Sequence, residues 1–159
     1  SVTYRLFKTP QLNTSYGPIK GELNSLGIHE PTIKDVSDAV IRIRSSKLPD
    51  PKVIGNAGSF FKNPVVPENV YQEIADKHPA MPHYPAPNGQ HKLAAGWLIE
   101  QSGWKGFLRG THGVHAKQAL VLVNHGGATG NEIYALSEEI LQDVNSKFGV
   151  ELEREVNII

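Results

Sequence analysis

Two prolines, Pro49 and Pro51, lie within the short segment 47–51. Neither can continue a helix, because proline lacks the amide hydrogen and its ring clashes with the preceding turn. The residues before them have the apolar periodicity of a helix that opens at Thr32, with Asp35 as its partner in a variant capping box. The apolar side of this predicted helix is Ile33, Val36, Val40 and Ile43. The helix must end at the prolines, which therefore mark the clearest domain boundary in the chain.

The rest of the chain mixes short strands, helices and small-residue loops. Alternation predicts strands at residues 2–7 and 119–124, whereas glycine and proline content predicts loops at 55–59 and 79–90. Helical periodicity covers residues 67–78, 92–101 and 131–147. Since there is no regular βαβ alternation, the pattern favours an α+β fold, with helices packed on a small mixed or antiparallel sheet.

The final segment also alternates. Its apolar positions are Val150, Leu152, Val156 and Ile158, interrupted by Arg154. Its other face carries Glu151, Glu153, Glu155 and Asn157. This pattern predicts a strand on which Glu155 is directed away from the core.

The composition excludes several classes of protein. A hydrophobic fraction of 39% and a charged fraction of 20% suit a globular domain with a real core. Lysine and arginine together number 16 and are balanced by 16 acidic residues, so no nucleic-acid or anionic-membrane surface is indicated. No apolar run is long enough to span a bilayer. The absence of cysteine excludes disulfides and thiolate metal sites, and it suits a reducing compartment.

Two local patterns could carry chemistry. His112 and His115 are three residues apart, but no acidic third ligand is near in sequence, so we interpret them as solvated loop histidines and expect no metal. Gly55 and Gly58 bracket a predicted tight turn that exposes Ser59 and backbone N–H groups, a geometry suited to an anion or a developing negative charge. The lysines that flank this turn are Lys47, Lys52 and Lys62. On composition alone, a solvated surface turn is the favoured interpretation.

Longer runs of residues are more specific. Residues 47–52, continuing through 55–64, closely resemble the signature of the UDP-N-acetylenolpyruvoylglucosamine reductase family. Three further blocks agree with the family in order and spacing, at 92–99, 114–120 and 152–156. The resemblance covers nearly the whole chain.

The resemblance implies an oxidoreductase of bacterial peptidoglycan synthesis, located in the cytoplasm. The family reduces UDP-N-acetylglucosamine enolpyruvate to UDP-N-acetylmuramate. NADPH reduces FAD, hydride then passes to the terminal vinyl carbon, and an enzyme group protonates the adjacent carbon. The family carries FAD on an N-terminal domain that has no match here, so we expect no FAD in this chain and no activity from it alone. No nucleic acid, membrane or obligate protein partner is implied.

The resemblance also implies site residues. Ser59 matches the proton donor, and Glu155 matches the glutamate that polarises the substrate and stabilises the enolate. The matches to the diphosphate and uridine contacts are Lys47, Asn63, Tyr84, Lys92 and Gln118. Tyr16 matches a tyrosine on the substrate-closing loop. A protonated Glu155 would suit its role, since charge developing on the substrate carboxylate needs preorganised donors.

The resemblance divides the chain into three parts. Residues 1–48 are expected to be a remnant of the middle, flavin-binding domain. Residues 49–150 are expected to form the substrate-binding domain, and 151–159 the final strand with the catalytic glutamate. Two alternatives stay open at this stage. One is a non-catalytic module that binds a nucleotide sugar, and the other is a purely structural α+β domain.

Overall fold

The computed structural model describes residues 1–159, which form two compact units, Ser1–Lys47 and Leu48–Ile159. The first unit contains two helices, α1 (Ile19–Ser25) and α2 (Ile33–Lys47). They pack through a small core of Ile19, Leu23 and Ala39, with Ile28, Val36, Val40 and Ile43 against it. Helix α1 was not predicted, whereas α2 has the predicted limits.

The start of α2 confirms the predicted capping box. The Asp35 carboxylate accepts hydrogen bonds from the Thr32 hydroxyl at 2.6 Å and from the Thr32 amide at 2.8 Å, and these bonds lower the pKa of Asp35. One predicted apolar contact is wrong, because Ile33 is 60% exposed. Ile33 is the first residue of the helix, ahead of the turn that packs.

The predicted strand at residues 2–7 is also wrong. Residues 1–7 have no regular secondary structure, and the apolar side chains of Val2, Tyr4 and Leu6 are exposed. A strand is stable only when its backbone groups pair with a neighbour. The first unit has no other strand, so alternation alone does not produce one here.

The second unit contains seven strands and three α-helices, with one 3₁₀ turn at Pro87–Gly89. In chain order these are β1 (Gly55–Ser59), β2 (Val65–Val66), α3 (Glu68–Ala75), β3 (His83–Ala86), β4 (Gln90–Leu93), α4 (Ala95–Gln101), β5 (Leu108–Arg109), β6 (His112–Val114), β7 (Val121–Asn124) and α5 (Gly130–Phe148). The strands form a four-stranded sheet in the order β1-β7-β6-β5 and a three-stranded sheet in the order β2-β4-β3. Every pairing is antiparallel. The predicted α+β fold is confirmed, and its sheets are antiparallel rather than mixed.

Three local predictions need correction. The predicted loop at residues 55–59 is strand β1, and the predicted loop at 79–90 contains β3. Pro85 is tolerated there because β3 is an edge strand. The helix expected from Lys92 begins later, and Lys92 lies on β4 instead. All of these strands have five residues or fewer, too few for a periodicity to be visible in the sequence.

The final segment keeps its predicted alternation as far as Val156 without becoming a regular strand, whereas Ile158, predicted on the apolar face, is 58% exposed. It forms a single bridge, between Arg154 and Phe61. Leu152 is buried and Glu155 is exposed, as the pattern predicts.

The core of the second unit lies between α4, α5 and the sheets. Its fully buried side chains include Leu93, Leu98, Ile99, Leu136, Ile140 and Val144. Helix α5 begins with a capping box, in which the Glu132 carboxylate accepts from the Thr129 amide and hydroxyl, and these bonds lower the pKa of Glu132. It ends at Gly149, which has a φ of 65°. None of the five helices combines the length and apolar composition needed to cross a membrane.

Gly113, on the inner strand β6, offers a test of this packing. A Cβ atom at Gly113 would lie 2.1 Å from the Phe107 carbonyl oxygen and 2.9 Å from Leu108 Cα. Because both neighbours are backbone, neither can rotate away, and we expect Gly113→Ala to destabilise the protein by about 1–3 kcal/mol. Denaturant unfolding of the full-length protein measures this loss. Gly130→Ala is the matched control, since nothing lies within 4 Å of a Cβ there. Equal unfolding free energies for the two variants would contradict the packing described.

Candidate functional site

A cleft of about 680 Å³ opens on the second unit. Its walls come from the segment after β1, from β2, from β4 and from the final segment. The lining residues are Lys62, Asn63, Pro64, Val65, Lys92, Glu151, Glu153 and Glu155. Three of the predicted site residues, Asn63, Lys92 and Glu155, are thus brought together although they are far apart in sequence.

One wall of the cleft is built by backbone pairing of the final segment. The Phe61–Arg154 bridge is flanked by two hydrogen bonds, from the Lys62 amide to the Glu153 carbonyl at 2.8 Å and from the Glu155 amide to the Phe60 carbonyl at 2.9 Å. Side chains alternate along such an extended chain. The glutamates at the odd-numbered positions therefore line the cleft, while the residues between them face the core.

The opposite wall is a face of the three-stranded sheet. Lys92 on the central strand β4 is directly opposite Val65 on β2 and Tyr84 on β3. Directly opposed residues project from the same face of a sheet. Tyr84, which is 58% exposed, therefore lies beside Lys92 on the face that borders the cleft.

Two predicted amide side chains lie against the start of α4. The Asn63 side-chain oxygen accepts a hydrogen bond from the Ala95 amide at 2.9 Å, which leaves its NH₂ group to donate to a ligand. The Gln118 oxygen accepts from the Leu120 amide at 3.3 Å and lies 3.2 Å from the position of a Cβ on Gly96. Gln118 is half-buried and does not line the cleft.

The charges in the cleft are mixed. Three carboxylates face two ammonium groups, and the Lys62 ammonium is already paired with Glu153. Lys92, Glu151 and Glu155 make no ion pair within the protein. The single uncommitted ammonium group is therefore that of Lys92, and the uncommitted carboxylates lie on the opposite wall.

Ser59 lies outside the cleft lining. It is exposed at the end of β1, after a bulge at which the register with β7 shifts and Gly58 adopts a φ of 73°. Two N–H groups beside it are occupied, because the Gly58 amide donates to the Asn56 side chain at 3.1 Å and the Phe60 amide donates to the Leu120 carbonyl at 2.7 Å. The predicted tight turn with free N–H groups is therefore wrong, and the segment is a bulged edge strand. The Ser59 hydroxyl has no hydrogen-bond partner in the protein.

Lys47 and Tyr16 belong to the first unit. Lys47 is the exposed last residue of α2, and Tyr16 is 81% exposed before α1. Their contacts with substrate stay predictions. The interpretation of His112 as a solvated loop residue is wrong, because it is 6% exposed on β6, inside the four-stranded sheet.

Arg154 is a residue that the sequence analysis noted only as an interruption. Its guanidinium reaches helix α5, where Nε donates to the Ser137 hydroxyl at 2.8 Å and a terminal NH₂ group donates to Glu138. The hydrogen bond from Arg154 lowers the pKa of Glu138. The sequence contained one sign of this role: Arg154 is a charged residue at a position of the alternating segment that should be apolar.

Two small antiparallel sheets packed with helices, and a polar cleft of mixed charge lined by ammonium, amide and carboxylate groups, define an α+β domain with a small-molecule cleft. A family model described as "UDP-N-acetylenolpyruvoylglucosamine reductase, C-terminal domain" matches residues 50–159. The chain belongs to this family.

Curated bacterial relatives with the name UDP-N-acetylenolpyruvoylglucosamine reductase agree along the whole chain. The relative from Chromobacterium violaceum is 55% identical over 159 residues, which are 100% of this chain and 47% of the relative. The relative from Pseudomonas aeruginosa is 53% identical over 99% of this chain and 46% of its own length. The relative from Flavobacterium johnsoniae is 53% identical over 100% of this chain and 48% of its own length. The chain spans about half the length of the curated relatives it matches.

Proposed function

We propose that the protein containing this chain reduces UDP-N-acetylglucosamine enolpyruvate to UDP-N-acetylmuramate for peptidoglycan synthesis, with NADPH and FAD. In this proposal the chain supplies the binding site for the UDP-sugar and the proton donor. The observation that carries it is the convergence of Asn63, Lys92 and Glu155, taken from three separate motif blocks, on one cleft. The cleft volume is within the range of small-molecule sites.

The diphosphate is assigned to the sheet side of the cleft. The Lys92 ammonium makes no ion pair within the protein, and the Asn63 amide has its NH₂ group to donate. Charge-assisted hydrogen bonds of this kind are the strong ones in phosphate recognition. Tyr84, beside Lys92 on the same sheet face, adds a ring or a hydroxyl contact. Lys47, Gln118 and Tyr16 are proposed as further substrate contacts.

The chemistry is assigned to Ser59 and Glu155. Hydride addition to the terminal vinyl carbon leaves negative charge on the adjacent carbon and its carboxylate. The resulting enolate is basic enough to take a proton from a hydroxyl held within about 3 Å, and the free hydroxyl of Ser59 is the proposed donor. Glu155 is proposed to donate a hydrogen bond to the substrate carboxylate as charge develops on it.

The cleft residues do not fit FAD in addition to the UDP-sugar. The one uncommitted ammonium group of the cleft, Lys92, is assigned to the UDP-sugar, so the cleft offers no second set of donors for the diphosphate of a dinucleotide. The hydride would therefore come from a flavin held outside this chain. We propose accordingly that residues 1–48 are a remnant of the flavin-binding domain and that 49–150, with the final segment 151–159, belong to the substrate-binding domain.

The isolated chain is expected to bind UDP-N-acetylglucosamine saturably in isothermal titration but not to oxidise NADPH. Lys92→Ala should raise the Kd about 10- to 100-fold, because it removes a charge-assisted hydrogen bond. Lys105→Ala is the matched control, since Lys105 pairs with Glu100 and does not line the cleft.

Each alternative predicts a different result. A structural domain would give no saturable binding. A non-catalytic module would bind the UDP-sugar, but the full-length protein would not reduce the enolpyruvyl substrate. A chain that purifies yellow and oxidises NADPH would contradict the assignment of the flavin to another part of the protein.

A further inference from the structure

The final segment, which carries Glu155, makes few backbone hydrogen bonds to the rest of the chain. It forms one bridge and two backbone hydrogen bonds with residues 60–62. Leu152 lies in the core and Val156 packs against it, so side-chain contacts hold this segment more than backbone hydrogen bonds do. The Glu155 carboxylate makes no ion pair or hydrogen bond of its own within the protein. Its position is therefore set by whatever fixes the backbone on either side.

Between Leu152 and Val156, Arg154 is the polar side chain placed to fix that backbone. Its side chain is 18% exposed, and Nε donates to the hydroxyl of the fully buried Ser137 at 2.8 Å. The Ser137 hydroxyl in turn donates to the Tyr134 carbonyl at 2.6 Å. This bond fixes the orientation of the hydroxyl that accepts from Arg154. The guanidinium also pairs with Glu138 and lies 4.4 Å from the centroid of the Tyr134 ring.

These contacts all lie on one helix. Ser137, Glu138 and Tyr134 belong to α5, whose start is fixed by its capping box and whose inner face forms the core. A planar guanidinium with several oriented donors fixes a chain more precisely than a flexible ammonium group. Arg154 therefore holds the backbone next to Glu155 at a fixed position relative to α5.

We propose that Arg154 is a positioning residue for the reaction, holding the Glu155 carboxylate in the cleft through its contacts with α5. This rests on the proposed function of Glu155. Arg154 also forms the backbone bridge with Phe61. Phe61 lies two residues after Ser59. Arg154 thus stabilises the one backbone pairing that joins the segments of both proposed catalytic residues.

The test uses the full-length protein with its flavin and compares two half-reactions by stopped-flow absorbance. Arg154→Ala is expected to slow flavin reoxidation by the enolpyruvyl substrate about 10- to 100-fold, while flavin reduction by NADPH changes less than about twofold, because a displacement of the order of 1 Å suffices to misalign a reacting group. Hydrogen exchange at the Glu155 amide should become faster. Arg154→Lys keeps the positive charge but not the planar guanidinium. It should recover part of the rate of flavin reoxidation.

Arg109→Ala is the matched control. Arg109 also pairs with a glutamate of α5, Glu139, at 2.7 Å and lies 5.4 Å from the Phe107 ring, but it contacts neither the cleft nor the final segment. It should leave both half-reactions and the Glu155 amide unchanged. Glu138→Gln is the milder variant, and its effects should have the same direction as those of Arg154→Ala.

The outcomes separate this inference from the proposed function. If Glu155→Gln reoxidises at the wild-type rate, the role of Glu155 fails and the positioning role fails with it. If Glu155 is needed but Arg154→Ala behaves like Arg109→Ala, the positioning role alone is overturned. Equal slowing of both half-reactions would indicate a general loss of structure and would also overturn it. If Arg154→Ala does not fold, Glu138→Gln decides by the same measurements.

Discussion

Ser59→Ala in the full-length protein is expected to leave flavin reduction by NADPH nearly normal and to slow flavin reoxidation by substrate by about 10²- to 10⁴-fold, the usual contribution of a positioned general acid. The hydroxyl is exposed and has no partner in this chain, so its removal costs no hydrogen bond within the chain. The variant should therefore fold like the wild type. Stopped-flow absorbance separates the two steps, because flavin reduction and flavin reoxidation change the absorbance in opposite directions.

Ser102→Ala controls for the loss of a hydroxyl as such. The Ser102 hydroxyl donates to the Leu98 carbonyl at 2.9 Å, away from the cleft, and its loss should affect neither half-reaction. Equal losses in both half-reactions for Ser59→Ala, or a normal second half-reaction, would remove Ser59 from the proposed role. The first result would indicate a structural effect, and the second a different proton donor.

The helices were predictable where local chemistry specifies their ends. Helix α2 begins at a side-chain cap and ends before two prolines, and α5 begins at a capping box and ends at a left-handed glycine. Both signals lie within a few residues of the helix, so they can be recognised without knowing the rest of the fold.

Of the seven short strands only β7, within the predicted residues 119–124, was expected, because pairing rather than local preference creates the others. Strands β2 and β4 have two and four residues, and they form because the register Val65–Lys92 lets them pair. Residues 2–7 show the converse case: their alternation is clear, but the first unit offers no strand to pair with. Strand formation depends on tertiary context more than helix formation does.

The same distinction applies to the cleft. Asn63, Lys92 and Glu155 were identified through their motif blocks, each from its own stretch of sequence. Glu151 and Glu153 line the same cleft but were identified only as the polar face of a strand. Which wall that face would form depends on the bridge from Arg154 to Phe61, a contact between residues 93 positions apart that no local pattern indicates.

Glu155→Ala in the full-length protein is expected to slow flavin reoxidation by substrate about 10²- to 10³-fold, the range for removing one donor to a developing oxyanion. Glu155→Gln should lose less, because its amide can still donate one hydrogen bond to the substrate carboxylate. The binding of UDP-N-acetylglucosamine should change little in either variant, since this ligand has no enolpyruvyl group to contact Glu155. Loss of an interaction made only as charge develops lowers the rate without changing ground-state binding.

The order of the variants tests the role of Glu155 itself. If it donates a hydrogen bond, the rates should follow wild type, then glutamine, then alanine. If it acted as a base, glutamine would be as poor as alanine, because neither can accept a proton. Glu100→Gln, which alters an exposed glutamate paired with Lys105, controls for the loss of a carboxylate. Wild-type rates for both Glu155 variants would leave the cleft as a binding site alone, in which the carboxylates of the final segment take no part in the reaction.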